Sequence, residues 1–389
     1  MSREIGVGVI AMGWMGMTHS RAYRQIADRF ERSGIEPRLV VCADNVEARM
    51  RRAQQLFGFE RGTTDWRKVL EDPEVEAVNI TAPNRLHRPI AEAAAAAGKH
   101  VFCEKPVGCS PQDTAAIAAA ARRAGVMSFT GYCYRWAPLV QHAHELIVAG
   151  RLGTLTHYRG RFFVGYGSNP HSVLSWRFQR DQAGMGTLAD LMSHVADMAH
   201  LMAGPVRRIA AAQETFIKQR PLATEGEGTH FTIRKDGPMG DMTNEDYVGA
   251  LVEFENGARG TFEACRVIVG PQCEMAFEVH GTKGALRWDF QRMNELELCL
   301  ADEGGANDGY VRLFSGPEHP FHAQFNPGPA VGLGYEDLMT IQMHQFLKSI
   351  ADGQPIAPGF EEAWAVANVQ DAVQRSWQSG QWEAVGKGA

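Results

Sequence analysis

Two groups of residues in this chain have the types and spacing needed to move protons on and off an alcohol. The first is Glu104-Lys105-Pro106, which follows the apolar run His100-Val101-Phe102-Cys103. A lysine just past the carboxyl end of a strand lies where ligands bind at the edge of a doubly wound sheet. The proline fixes the backbone and ends the strand. An ammonium there can lower the pKa of a substrate hydroxyl and hold the developing alkoxide. Glu104 points the other way on this reading and braces the turn. A surface Glu–Lys ion pair is the plain alternative.

The second group lies in Gly186-Thr-Leu-Ala-Asp190-Leu-Met-Ser-His194-Val-Ala-Asp197. A single helix over 186–202 puts Asp190, His194 and Asp197 at i, i+4 and i+7, on one face. Their neighbours Leu188, Leu191, Met192, Val195 and Met198 are apolar. Buried polar groups cost free energy unless they are hydrogen-bonded or used. Histidine titrates near neutral pH and can take a proton from an alcohol. The flanking carboxylates can set its tautomer and raise its basicity. A satisfied core histidine is the alternative. No further His or Cys cluster lies nearby to complete a metal site. His200 falls off the stripe and reads as structural.

These residues need a nucleotide and elements to place it. Ile5 to Ile10 reads as a buried strand, Ala11-Met12-Gly13-Trp14-Met15-Gly16 as a turn, and a helix follows to about Ser33. The turn departs from G-x-G-x-x-G at Ala11, where one methyl is expected to be tolerated. Gly13 lets the backbone approach a pyrophosphate, and Gly16 permits close packing of helix on strand. A glycine-rich turn without a ligand is the alternative. Asp44 ends the next strand, Arg38 to Ala43, where a carboxylate accepts ribose hydroxyls and repels a 2′-phosphate, favouring NAD over NADP. It stands further past Gly16 than the usual ~20 residues, which the stretch from Arg29 to Pro37 accounts for. Arg49, Arg51 and Arg52 keep NADP open.

Strands and helices then alternate to about residue 130: helices at 46–57, 65–70, 89–97 and 111–124, and strands at 75–80, 100–103 and 127–130. That rhythm implies a parallel sheet covered on both faces. Beyond about 150 it changes to alternating strands: 155–164, a hairpin at 247–267 with an Asn256-Gly257 turn, then 273–280, 285–290, 295–300 and 310–314. Helices at 336–351 and 360–379 close the chain. The expected organisation is an N-terminal nucleotide domain, 1–130, and an α+β domain, 131–389, whose last helices pack back on the first.

Length and composition agree with this plan. The 389 residues exceed one ordinary core. A net charge of −6 without a basic run argues against nucleic acid or an anionic membrane as partner. No apolar run is long enough to span a bilayer, and residues 1–10 read as a strand rather than a signal peptide. Seven scattered cysteines form no Cys-x-x-Cys pair, which suits reduced thiols in a cytoplasmic protein.

Together these residues resemble the glucose–fructose oxidoreductase / inositol dehydrogenase (Gfo/Idh/MocA) family. The resemblance spans nearly the whole chain. Its parts are the turn at 11–16, Thr81-Ala-Pro-Asn84-x-x-His87, Ala97 to Pro106, Tyr134-Arg135 with Pro138, Leu152-Gly153, and Gly186 to Asp197. It implies an N-terminal Rossmann domain, a C-terminal α+β domain with a large, open, mostly antiparallel sheet, and pairing through that sheet into homodimers or homotetramers. It implies a catalytic set of Lys105, Asp190 and His194, with His194 as general base. It assigns Ala11, Met12, Gly13, Trp14, Met15, Asp44, Thr81, Pro83, Asn84, His87, Glu104 and Lys105 to NAD, with Pro83, Asn84 and His87 on the nicotinamide side. It assigns Tyr134, Arg135, Trp176, Arg177, Asp190 and His194 to the substrate. A Lys105–Pro106 cis peptide is common in such proteins.

Ser175-Trp176-Arg177-Phe178 is similar to the sugar dehydrogenases that act on levoglucosan, related anhydro-sugars or inositols. Trp176 can stack on a sugar's C–H face and Arg177 can donate to hydroxyls or cofactor; an interdomain packing anchor is the alternative for Trp176. Val164 stands where a glutamine is expected in those enzymes, and Cys133 where an asparagine usually precedes Tyr-Arg. These departures point to a pocket retuned for another polyol. The expected activity is NAD-dependent transfer of hydride between nicotinamide and a ring hydroxyl. An NAD-dependent glycosidase with transient oxidation and a non-catalytic sugar or NAD sensor are the alternatives.

Overall fold

The computed structural model describes residues 2–223, 231–301 and 309–386. In the first part, β1 (Arg3–Ile10), α1 (Trp14–Arg29), β2 (Ile35–Ala43), α2 (Glu47–Phe57), β3 (Arg61–Thr63), α3 (Arg67–Glu71), β4 (Ala77–Ile80), α4 (His87–Ala96), β5 (His100–Cys103), α5 (Pro111–Ala124) and β6 (Ser128–Thr130) alternate. The six strands form one parallel sheet in the order β3-β2-β1-β4-β5-β6, the doubly wound Rossmann order. The register aligns the carboxyl ends of four strands: Ile10 pairs with Ala43 and with Ile80, and Ile80 with Cys103. Ala11, Asp44, Thr81 and Glu104 therefore leave the sheet side by side. The strand order reverses between β1 and β4, and the crevice opens there.

The second part holds α6 (Pro138–Val148), β7 (Leu155–Val164), α7 (Arg180–Ala183), α8 (Thr187–Asp190), α9 (Met192–Ala203), β8 (Val206–Glu214), β9 (Gln219–Pro221), β10 (Met239–Asp241), β11 (Tyr247–Phe254), β12 (Arg259–Cys265), β13 (Cys273–Gly281), β14 (Gly284–Asp289), β15 (Glu295–Leu300) and β16 (Val311–Phe314). Then come α10 (Tyr335–Asp352), α11 (Phe360–Ser379) and β17 (Glu383–Ala384). Nine strands form a sheet in the order β16-β15-β14-β13-β7-β12-β11-β8-β17, antiparallel except where β12 meets β7. Alternation along β7 turns Tyr158, Gly160, Phe162 and Val164 inward, toward α9. Arg159 on β7, Leu251 on β11 and Arg287 on β14 lie on the other side of the sheet and are exposed.

α10 returns to the first sheet. Its Phe346 meets Phe102 of β5 edge-on at 5.8 Å, and its His344 stacks on Phe30 at 3.8 Å. Thr340 donates to Gln25 of α1 at 2.7 Å. Several elements have little signal in the sequence. β3 is three residues with no buried position, and β9, β10 and β17 are two or three residues held by their neighbours. β8 reads weakly because its Ala210–Ala212 run carries no alternation.

The expected single helix over 186–202 is broken. α8 ends at Asp190, and α9 starts only after Leu191, whose φ of −106° departs from helical geometry. The His194 amide donates to Leu191 O at 3.1 Å instead of reaching Asp190 O. The carbonyl freed at Asp190 has another partner, which defines the site.

Candidate active site

The nucleotide end is built from strand ends. Ala11 takes φ of +72°, a left-handed conformation that costs a residue with a Cβ about 1–2 kcal/mol. The methyl is thus carried at a strained position, not merely fitted into a loose turn. Bonds on both sides hold it: Ala11 N donates to Ala43 O at 2.7 Å, and Thr81 Oγ1 donates to Ala11 O at 2.6 Å. Thr81 therefore spends its hydroxyl on the turn.

Asp44 is buried and accepts from Met12 N at 2.7 Å and from Val46 N at 2.8 Å. Its carboxylate is fixed at the end of β2, and each oxygen keeps a further lone pair for a ribose hydroxyl. Arg51 is held by Glu47 at 2.6 Å. Gly13 begins α1 with no side chain capping the helix, and a Cβ built there meets nothing within 4 Å. A free helix N-terminus beside open space fits a pyrophosphate. Gly16 differs, since its Cβ would lie 2.1 Å from Ala11 O.

These two glycines therefore separate cofactor binding from folding. Gly16→Ala is expected to destabilise the protein by about 3 kcal/mol through overpacking. Gly13→Ala keeps the thermal midpoint but weakens NADH about tenfold, because its methyl occupies the space of close backbone approach. Thermal unfolding with NADH fluorescence titration checks both; the reverse pattern would move the pyrophosphate elsewhere.

The chemical end lies above β5. Lys105 Nζ donates to Asp190 O at 2.9 Å and to Asp190 Oδ1 at 2.8 Å. The ammonium thus takes the carbonyl that the broken helix releases. An ammonium has three donors, so one N–H is left for the crevice. Asp190 Oδ2 accepts from Tyr166 OH at 2.8 Å. Burial raises the Asp190 carboxyl, but Lys105, Arg177 and the hydrogen bond from Tyr166 outweigh it and hold the group far below the usual carboxylate range. The Lys105–Pro106 peptide is cis.

His194 is buried, and burial pushes its imidazolium well below the ordinary histidine value. The Lys105 charge adds to that shift and Asp190 opposes it. The ring is therefore neutral at neutral pH, the form a general base needs. Its walls are aromatic, with Tyr134 edge-on at 4.8 Å, Phe162 at 5.7 Å and Tyr132 at 5.8 Å.

The expected Asp190–His194–Asp197 stripe is corrected here. Among the described residues, the carboxylates bond elsewhere: Asp190 to Lys105 and Tyr166, and Asp197 to Arg135 in a buried two-pronged pair at 2.6 and 2.7 Å. Asp190 pushes the His194 pKa up, but burial and the Lys105 charge outweigh it and the net shift is downward. The kink at Leu191 is the reason, because it takes Asp190 off the register of α9.

Other assigned residues also have definite places. Arg135 is buried and spends its guanidinium on Asp197. Tyr134 is buried against His194 and Cys273. His87 is fully buried, with Nδ1 2.8 Å from Pro106 O and Nε2 2.7 Å from Ala82 O, so its ring is shut off from any ligand. Asn84 is buried and donates to Ala183 O at 3.0 Å, tying the turn after β4 to α7. Glu104 is buried and accepts from Lys105 N at 3.1 Å, as a brace would. Pro83 and Met15 are half-buried near the crevice. Trp14 stays 63% exposed and lies parallel to Tyr335 at 6.0 Å. Trp176 and Arg177 are half-buried, with the guanidinium 4.4 Å from the indole ring.

Sequence reasoning missed Tyr166, Cys273, Phe162 and Tyr335. Tyr166 had a signal, since it sits between Gly165 and Gly167 directly after β7. Cys273 pairs with Val164 in the register of β13 on β7, and the Tyr134 hydroxyl lies 3.8 Å from its sulfur. Burial raises the Cys133 thiol and the Cys273 thiol, so both are neutral. Val164, Cys133 and Cys273 give this wall thiols and an alkyl group. Among the described residues, no group of three His, Cys, Asp or Glu side chains is arranged to hold a metal ion.

Two family models match the chain. The model described as "Oxidoreductase family, NAD-binding Rossmann fold" matches residues 5–132, and that described as "GFO/IDH/MocA C-terminal domain" matches residues 140–287. Levoglucosan dehydrogenase of Pseudarthrobacter phenanthrenivorans is 36% identical over 382 residues, 98% of either chain. Myo-inositol 2-dehydrogenase of Thermotoga maritima is 25% identical over 92% of this chain and 91% of its own. The solved structure of a levoglucosan dehydrogenase in complex with NADH and L-sorbose has a TM-score of 0.93 at 35% identity, covering 98% of this chain and 99% of that one.

Proposed function

We propose, from the premise that this chain belongs to the GFO/IDH/MocA oxidoreductase family, that it oxidises a ring hydroxyl of a sugar, anhydro-sugar or cyclitol. The observation that carries this reading is the Lys105 ammonium, pinned twice by Asp190 and left with one donor at the crevice beside a neutral His194. NAD, when bound, supplies the acceptor for the hydride. The remaining work falls to side chains. Lys105 donates to the substrate oxygen and favours its alkoxide. His194 takes the hydroxyl proton. Asp190 holds Lys105 and keeps the pair's net charge near zero, and Tyr166 holds Asp190. In the reverse direction His194 returns the proton to the ketone oxygen.

The substrate class follows from the relatives' names and from the wall of the site. Trp176, Arg177 and Tyr134 offer the apolar face and the donors that a polyol ring needs. Val164, Cys133 and Cys273 leave that wall less polar than an amide would, which suits a ring with fewer hydroxyls on that side. The test is a reduction screen of NAD and NADP at alkaline pH over levoglucosan, myo- and scyllo-inositol, L-sorbose and 1,5-anhydro-sugars. NADH is expected to form with at least one of them, and NAD is favoured over NADP because Asp44 is fixed. Hydrolysis without NADH would select a glycosidase. No turnover on any polyol would select a sensor.

The second sheet supports self-association. Its outer side mixes small or apolar residues (Ala210, Ala212, Gly249, Leu251, Thr261) with paired charges such as Arg161–Glu274 at 2.6 Å. Leu251 is 55% exposed there. A homodimer or homotetramer through this face is expected by light scattering, and Leu251→Arg is expected to dissociate it. A monomeric wild-type protein would overturn this assembly. No helix among the described residues is long and apolar enough to cross a membrane. The free cysteines suit the reducing cytoplasm.

A further inference from the structure

We propose that two buried histidines, His19 and His87, are positioning residues that hold the Lys105 turn from beneath. The proposal rests on Lys105 acting at the substrate oxygen.

Both side chains are fully buried, so neither reaches substrate or cofactor. His19 projects from α1 with Nε2 3.3 Å from Glu104 Oε1, a close approach that is not an aligned hydrogen bond. Its Nδ1 lies 3.1 Å from Asn79 Oδ1, and the Asn79 amide donates to Tyr23 OH at 3.0 Å. Glu104 Oε2 accepts the Lys105 amide at 3.1 Å. Gly131 makes the space that this carboxylate occupies, because a Cβ there would lie 2.5 Å from Glu104 Oε1. His87 reaches the turn from the other side, with its ring nitrogens 2.8 Å from Pro106 O and 2.7 Å from Ala82 O; the neutral ring that burial favours donates to one of the two.

The turn is thus fixed at the Glu104 side chain, the Lys105 amide and the Pro106 carbonyl. Lysine is a long chain that loses much rotamer entropy when ordered. Fixing its backbone from below and its ammonium at Asp190 leaves the free donor one place to point. Misplacement by about 1 Å can cost ~100-fold in rate.

Removing one partner of a buried pair strands the other, whereas removing both in favour of apolar groups can be neutral to stability. The test therefore compares His19→Leu, His19→Gln, His19→Leu/Glu104→Leu and His87→Leu, reading kcat, KM, NADH affinity and thermal midpoint. His19→Leu and His87→Leu are expected to lower kcat about 100-fold while NADH binding changes by less than about threefold. His19→Gln, whose amide keeps a polar group against Glu104, recovers most of that kcat. The double variant recovers the thermal midpoint but not kcat. Equal losses of kcat and midpoint in His19→Gln and His19→Leu would reduce His19 to a core residue and overturn the inference. So would wild-type kcat in the double variant or in His87→Leu, provided Lys105→Ala is inactive. Wild-type kcat in Lys105→Ala would instead sink the reading on which the inference rests.

Discussion

Lys105→Ala is expected to lower kcat by about 10³-fold while NADH binds nearly as in the wild type. The ammonium is partly screened from water and faces the position where an alkoxide develops, so its charge acts at low effective dielectric. Neither Arg135, consumed by Asp197, nor Arg177, which lies over Trp176, makes the paired contacts to Asp190 that place the Lys105 ammonium. The loss should fall on kcat rather than KM, because the interaction grows only as negative charge forms on the oxygen. The same substitution leaves Asp190 with Tyr166 but without its cation, so a lower thermal midpoint is expected as well. Lys105→Arg is not a rescue, because a planar fork cannot reproduce the two contacts at 2.8 and 2.9 Å and still present a donor to the crevice. Steady-state kinetics with NADH fluorescence separate these effects. Equal losses in kcat and NADH affinity would make Lys105 a cofactor anchor only.

His194→Asn is expected to cost about 10²–10⁴-fold in kcat, the usual worth of a positioned general base. The pH profile carries the more specific information. Burial lowers the histidine's pKa in the folded protein, so the base stays neutral, and active, at pH values where an ordinary histidine has already charged. The acid limb of kcat/KM should therefore lie below the ordinary histidine range and vanish in the asparagine variant. The same shift has a stability consequence. The unfolded chain takes up this proton first, so stability is complete above the ordinary histidine pKa and declines as pH falls below it. His194→Asn should lose part of that acid sensitivity. An acid limb unchanged in the variant would assign the proton to another group.

The sequence made the nucleotide half legible because hydrophobic runs, strand-end residues and helix caps all pointed one way there. The Pro111–Ala124 helix and the Leu155–Val164 strand stand where periodicity places them. The active-site helix was harder. Its apolar spacing is that of a continuous helix, and nothing local announces that a lysine 85 residues earlier takes the Asp190 carbonyl. The Asp–His–Asp spacing was real, but the kink sends Asp190 to Lys105 and leaves Asp197 to Arg135. His87 and Asn84 show a related limit. Their positions beside the crevice were readable, but the carbonyls that claim their side chains come from Pro106 and Ala183, and those contacts exist only in the folded chain. Tyr166 was missed because a tyrosine in a loop has no period to betray it.

The central claim is that Lys105 and His194 together turn a ring hydroxyl into a ketone at the expense of NAD. A single-turnover experiment with enzyme in excess over the best polyol, following ketone and NADH together, tests it most directly. One ketone and one NADH per polyol are expected in the wild type, and neither on the same timescale in Lys105→Ala. Product without NADH, or NADH formation in Lys105→Ala at the wild-type rate, would contradict it.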